Sequence, residues 1–123
     1  VLIGLVALLL LSGCGEDKDK NTPPAAPKIS SSIDLTVEKN GFSKDSATAK
    51  PGLIKITVTV PADADGKHGV GIDGGQYKDV KGAPVKPGRS TSLTVQVKKG
   101  NYTIFDSYKN NRDKGFETKL TVK

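Results

Sequence analysis

The chain has 123 residues, with 19 basic against 13 acidic side chains, a formal charge of +6, one cysteine and one histidine. A lone cysteine excludes an intramolecular disulfide framework, and a single histidine confines any catalytic triad to a Ser-His68-Asp set without a nucleophile-elbow context. All charged residues lie beyond Gly15, so the positive excess belongs to the part of the chain that follows the apolar start.

Val1 to Leu11 is apolar apart from Gly4, and it leads into Leu11-Ser12-Gly13-Cys14. Eleven residues are too few for a comfortable permanent membrane helix but suit the core of a secretory signal. Leu-Ser-Gly-Cys resembles the bacterial lipobox, which implies cleavage after Gly13 and acylation of Cys14. Two or more acyl chains on Cys14 would anchor the mature protein stably to membrane lipid on the extracytoplasmic face of a bacterial cell membrane. The basic residues that normally precede such a core are missing and the chain opens on Val1, so a truncated sequence or an alternative start codon is expected.

Residues 14–32 are mixed in charge, hold three prolines and have almost no large apolar side chain, the composition of a flexible tether. A single domain is expected over 33–123, a size at which one small core is feasible. Within it Ile33, Leu35 and Val37 alternate with polar residues. The following Gly41 to Gly52 stretch is too polar for a long strand but able to pin Phe42 on the core. Leu53 to Val60 is the strongest strand, with Ile54, Ile56, Val58 and Val60 on one face.

Pro61 to Gly66 reads as an acidic turn, since the later ligands of a calcium loop are absent after Asp63 and Asp65. His68 to Ile72 is expected as a short strand ended by Asp73-Gly74-Gly75, and Val80 and Val85 fall in a loop-like segment. Leu93, Val95 and Val97 alternate up to Lys99-Gly100. In Asn101 to Ser107, Tyr102, Ile104 and Asp106 share one face, with Phe105 on the other. In Phe116 to Val122, Phe116, Thr118, Leu120 and Val122 share a face. No segment keeps helical period over ten residues. Short strands punctuated by Gly and Pro predict an antiparallel sandwich or barrel.

The succession Pro51-Gly52 with its strand, His68 after the next loop, Pro87-Gly88 with a Ser/Thr-rich strand, Lys99-Gly100-Asn101-Tyr102, a loop, Gly115 and a last strand resembles a cupredoxin. The resemblance spans nearly all of 33–123 and implies an all-β, Greek-key β-sandwich of seven or eight strands. Members with blue copper hold it with His, Cys, His and usually Met. His68 falls at the first position, but Asp106 stands at the cysteine, Asn111 at the second histidine and Phe116 at the methionine. Without a thiolate the chain lacks the soft ligand on which such a centre depends.

The function expected is therefore binding or structural, with no catalysis and no cofactor. The loop end carrying Tyr77, Tyr108, Asn110 and Arg112 is the candidate contact surface for an envelope protein or glycan. The rival is a weak divalent-metal site, copper or zinc, from His68, Asp106 and Asn111. The metal-free reading has His68 capping the loop mouth or hydrogen-bonding across it, with Asp106 as one candidate partner, while Phe116 closes the end of the core. The scattered lysines read either as an ordinary solvated surface or as weak attraction to anionic lipid or wall polymer. Nucleic acid is not an expected partner, since no module for it is present.

Overall fold

The computed structural model describes residues 28–123. The expected signal at 1–13, Cys14 and the tether as far as residue 27 lie outside the described residues.

Nine strands form two sheets: β1 (Ile29–Glu38), β2 (Gly41–Phe42), β3 (Ser46–Ala49), β4 (Gly52–Thr59), β5 (Gly71–Gly74), β6 (Tyr77–Lys81), β7 (Ser90–Val97), β8 (Gly100–Phe105) and β9 (Glu117–Val122). One sheet has the order β2-β1-β4-β7 and the other β3-β9-β8-β5-β6. The apolar alternation predicts the inner faces well. Ile54, Ile56 and Val58 on β4 are fully buried, as is Val60 just beyond it. They face Ile72, Ile104 and Leu120 from the other sheet in one cluster. Each such Val, Ile or Leu contributes roughly 1.5–3 kcal/mol by leaving water.

Four features depart from the sequence reading. The strand count is nine, not seven or eight, because Tyr77–Lys81, read as loop, pairs with β5, while Gly41–Phe42 and Ser46–Ala49, in the stretch read as too polar for a long strand, pair with β1 and β9. The sheets are mixed and not purely antiparallel: β1 runs parallel to β4, and β3 parallel to β9. The first strand starts at Ile29, four residues before the alternation becomes apolar. Finally His68 is not in a strand but makes an isolated bridge to Val85, and β5 begins at Gly71.

All nineteen buried apolar side chains among the described residues lie between Ile33 and Val122, and all but Phe105 join one cluster. The described residues thus share one core between the two sheets. Phe105 is buried on the outer face of its sheet, where its ring lies against Gly71 so closely that a Cβ there would stand 2.5 Å from it. Strands β1 and β4 both run toward one end of the sandwich, where β8 also stops and β9 begins. The loops collected at that end build the site.

Candidate functional site

His68 emerges from the 61–67 loop that follows β4, and two backbone hydrogen bonds to Val85, of 3.1 and 2.8 Å, fix its position. Asp106 is the first residue past β8, with its N–H donating to the Phe116 carbonyl at 3.0 Å. Between Asp106 and Phe116 the chain makes a short 3-10 turn over Asn111–Lys114, ended by Gly115 at φ 110°. Glycine is required there: the conformation is left-handed, and a Cβ would stand 3.0 Å from the Asn40 carbonyl oxygen.

This framework brings His68, Asp106, Asn111 and Phe116 together. Asp106 Oδ2 lies 2.5 Å from His68 Nδ1 and accepts from Asn111 Nδ2 at 3.1 Å. Its Oδ1 accepts from the N–H groups of Gly69 at 2.8 Å and Tyr108 at 3.0 Å. Two donors on each oxygen fill the acceptor capacity of a carboxylate. An ionised carboxylate only accepts, so paired with one His68 Nδ1 takes the donor role. Asn111 Nδ2 also donates to the Lys67 carbonyl at 3.3 Å, tying the two loops together. The Asp106 side chain is 0% exposed and that of His68 8%. Phe116 packs its ring 5.0 Å from the imidazole and edge-on to Phe42 at 5.7 Å.

These residues do not fit a blue-copper centre. Thiolate, second imidazole and thioether are replaced by carboxylate, amide and phenyl, and the one imidazole nitrogen aimed at the site is already hydrogen-bonded to the carboxylate. Among the described residues no three His, Cys, Asp or Glu side chains gather as a metal-holding group.

Beside this cluster opens a groove of about 760 Å³. His68, Asn111 and Phe116 line it together with Val37, Pro61 and Ala64. Its charged lining comprises Lys39, Lys67, Lys109 and Lys114 and the carboxylates of Glu38, Asp63 and Asp65. The acidic turn expected at 61–66 is therefore a wall of the groove, a role that no local sequence signal reveals.

The four expected contact residues do not share one surface. Tyr108 and Asn110 line the groove. Arg112 turns to the outer face of the five-stranded sheet, donating to Asp73 and, at 2.7 Å, to Glu117, and its guanidinium lies 4.3 Å above the Phe105 ring. Phe105 is thus covered from within the domain. Tyr77 pairs with Gly74, away from the Asp106 end of its sheet, and donates its hydroxyl to the Gln96 carbonyl of the other sheet. In the Arg112 cluster the Asp79 N–H, and after it Arg112, hold the Asp73 carboxyl below its ordinary range, while Glu117 and Asp73 raise Arg112.

Fold and site together define a cupredoxin-like β-sandwich with a buried His68–Asp106–Asn111 cluster at its loop end. No sequence-family profile matches the chain, and no curated protein does. Among solved structures it is similar to auracyanin B, with a TM-score of 0.66 and 14% identity over 82% of this chain and 93% of that one. It is similar also to the reduced auracyanin of the photosynthetic bacterium Roseiflexus castenholzii, at TM-score 0.61 and 20% identity over 78% and 99% of the two chains. A third is the reduced Cu(I) form of the P52G variant of amicyanin, at 0.55 and 20% over 82% and 95%. Identities this low speak for the fold alone.

Proposed function

We propose that the protein is a lipid-anchored extracytoplasmic lipoprotein whose cupredoxin-like domain is a binding module, working through the groove at its loop end and not through a redox metal. The observation that carries this reading is the closed hydrogen-bond set on Asp106. A metal drawn to His68 Nδ1 would have to displace the hydrogen bond of 2.5 Å to Asp106, which also holds both site loops in place. The groove remains open beside it. Its lysines and carboxylates over an apolar floor suit a segment of envelope protein or glycan carrying both polar and apolar groups. The anchor is supported by Leu11-Ser12-Gly13-Cys14 behind an apolar run.

Calorimetric titration of residues 28–123 with Cu(II) and Zn(II) tests the metal-free reading. No saturable binding at micromolar concentration is expected. Micromolar binding that disappears in His68→Ala and in Asp106→Ala would transfer the site to the divalent-metal alternative. Labelled fatty acid should enter the protein in a bacterial host and fail to enter Cys14→Ser, which tests the anchor separately.

A further inference from the structure

The end of the sandwich opposite the groove gathers lysines that are far apart in sequence. Ile29 pairs with Leu53 at the start of β4, Gly52 with Val97, and Gly100 with Val122. The Lys123 N–H donates to the Ala49 carbonyl and the Lys50 N–H to Ser31 Oγ, each at 3.0 Å. These contacts put Lys28, Lys50, Lys98, Lys99 and Lys123, all exposed, on one end face. The strand ends and turns that carry them, 28–32, 50–52, 98–101 and 122–123, hold no Asp or Glu. Among the described residues none of the five makes an ion pair. On the same end stands Ile29, 42% exposed and the sole exposed large apolar side chain among the described residues.

We propose that this end face is a membrane-docking surface that rests on anionic phospholipid headgroups, with Ile29 entering the headgroup layer and the groove directed away from the bilayer. A lysine close to an anionic membrane surface gains about fivefold in partition, and the gain falls off within a Debye length of roughly 8 Å at physiological salt. The groove lysines stand at the far end of β1, whose ten residues rise roughly 33 Å. They lie several screening lengths away, so the end face alone feels the surface. An exposed isoleucine has an apolar layer to enter on a bilayer and none on a soluble polyanion. The chain also enters the domain at this face, fourteen residues after Cys14 (28 − 14), so an acylated Cys14 would hold the face within roughly 50 Å of lipid. That last support rests on the anchor reading; the surface itself does not.

Unacylated residues 28–123 sedimented with vesicles of phosphatidylcholine containing about a third phosphatidylglycerol provide the test, because they separate docking from acylation. Two variants of equal net charge decide it: Lys50→Gln/Lys98→Gln/Lys99→Gln/Lys123→Gln at the base, and Lys39→Gln/Lys67→Gln/Lys109→Gln/Lys114→Gln at the groove. The base variant should lose at least tenfold in vesicle binding and the groove variant less than twofold, while Ile29→Ser alone loses about threefold. Binding of the native domain should vanish on vesicles of phosphatidylcholine alone. Equal losses in the two variants, no binding to the anionic vesicles, or retention by poly(glycerol phosphate) with none by the vesicles would each overturn the proposal. Thermal unfolding of both variants checks that lost binding is not lost folding.

Discussion

At the groove end, lysines and carboxylates face one another around an open space, and the loops beneath are pinned by a buried carboxylate with four hydrogen-bond donors. At the base, five lysines stand without an acid in the same strand ends and turns, and the β7–β8 turn is pinned by a tyrosine hydroxyl. Both ends consist of turns between the same strands. The difference is where the polar groups lie. Buried polar groups at the groove end hold the loops and therefore carry stability, whereas exposed charges at the base carry long-range attraction and little stability. Substitutions at the two ends should separate these roles.

The largest effect is expected from Asp106→Ala, which removes the buried acceptor of His68 Nδ1, of two backbone N–H groups and of one of the two bonds made by the Asn111 amide. A loss of about 3–5 kcal/mol follows from removing one partner of such a set. For a domain of this size that lowers the melting temperature by about 15 °C or more. Asp106→Asn keeps an oxygen for Gly69 and Tyr108 and should lose no more than half as much. Thermal unfolding of residues 28–123 compares the two directly.

At the base, Tyr102→Phe removes the hydroxyl that donates to the Lys98 carbonyl at 2.9 Å and accepts from its N–H at 3.1 Å. A cost of about 1–2 kcal/mol in urea denaturation is expected, because the ring's packing stays and only the turn is released. A smaller and pH-dependent effect belongs to the outer face. The Asp73 carboxyl is held below its ordinary range, so its contribution is complete above the usual carboxylate pKa and disappears as pH falls through the depressed folded value. Asp73→Asn should therefore cost under about 1 kcal/mol near neutral pH, for a partly exposed pair, and the gap from the native protein should close in strong acid. Least affected are the four lysine-to-glutamine changes at the base, each within about 0.5 kcal/mol of native stability. A loss of several kcal/mol there would break the contrast between the two ends.

Much of the sandwich was legible from alternation alone. The runs in β1, β4, β7, β8 and β9 repeat every two residues because one face meets the core, and Asp106 continues the Tyr102–Ile104 face into the loop end. β3 and β6 carried no such signal: Ser46–Ala49 offers only small side chains, and Tyr77–Lys81 is an edge strand with none of its side chains fully buried. Period says which face is apolar but not which strand lies beside it, so the parallel pairs β1–β4 and β3–β9 were not readable. The resemblance to cupredoxins placed His68, Asp106, Asn111 and Phe116 at related positions, and the geometry brings those four into contact. It did not separate Tyr77 from the groove, since β6 gives no strand signal, nor Arg112, whose partner Asp73 lies 39 residues away in sequence. The lysine end was hidden for a simpler reason. Its members come from four separate strand ends and turns, and in sequence they look scattered.

The chain's single histidine makes the central claim, that the ligand positions are closed by a hydrogen bond and not held open for a metal, unusually direct to test. Nitrogen-15 NMR of His68 should show the Nδ1–H tautomer, with a strongly deshielded, slowly exchanging ring proton that is lost in Asp106→Ala and unmoved by one equivalent of Cu(II) or Zn(II). A ring protonated on Nε2 instead, with a free Nδ1 whose signal shifts or broadens saturably as metal is added, would contradict it.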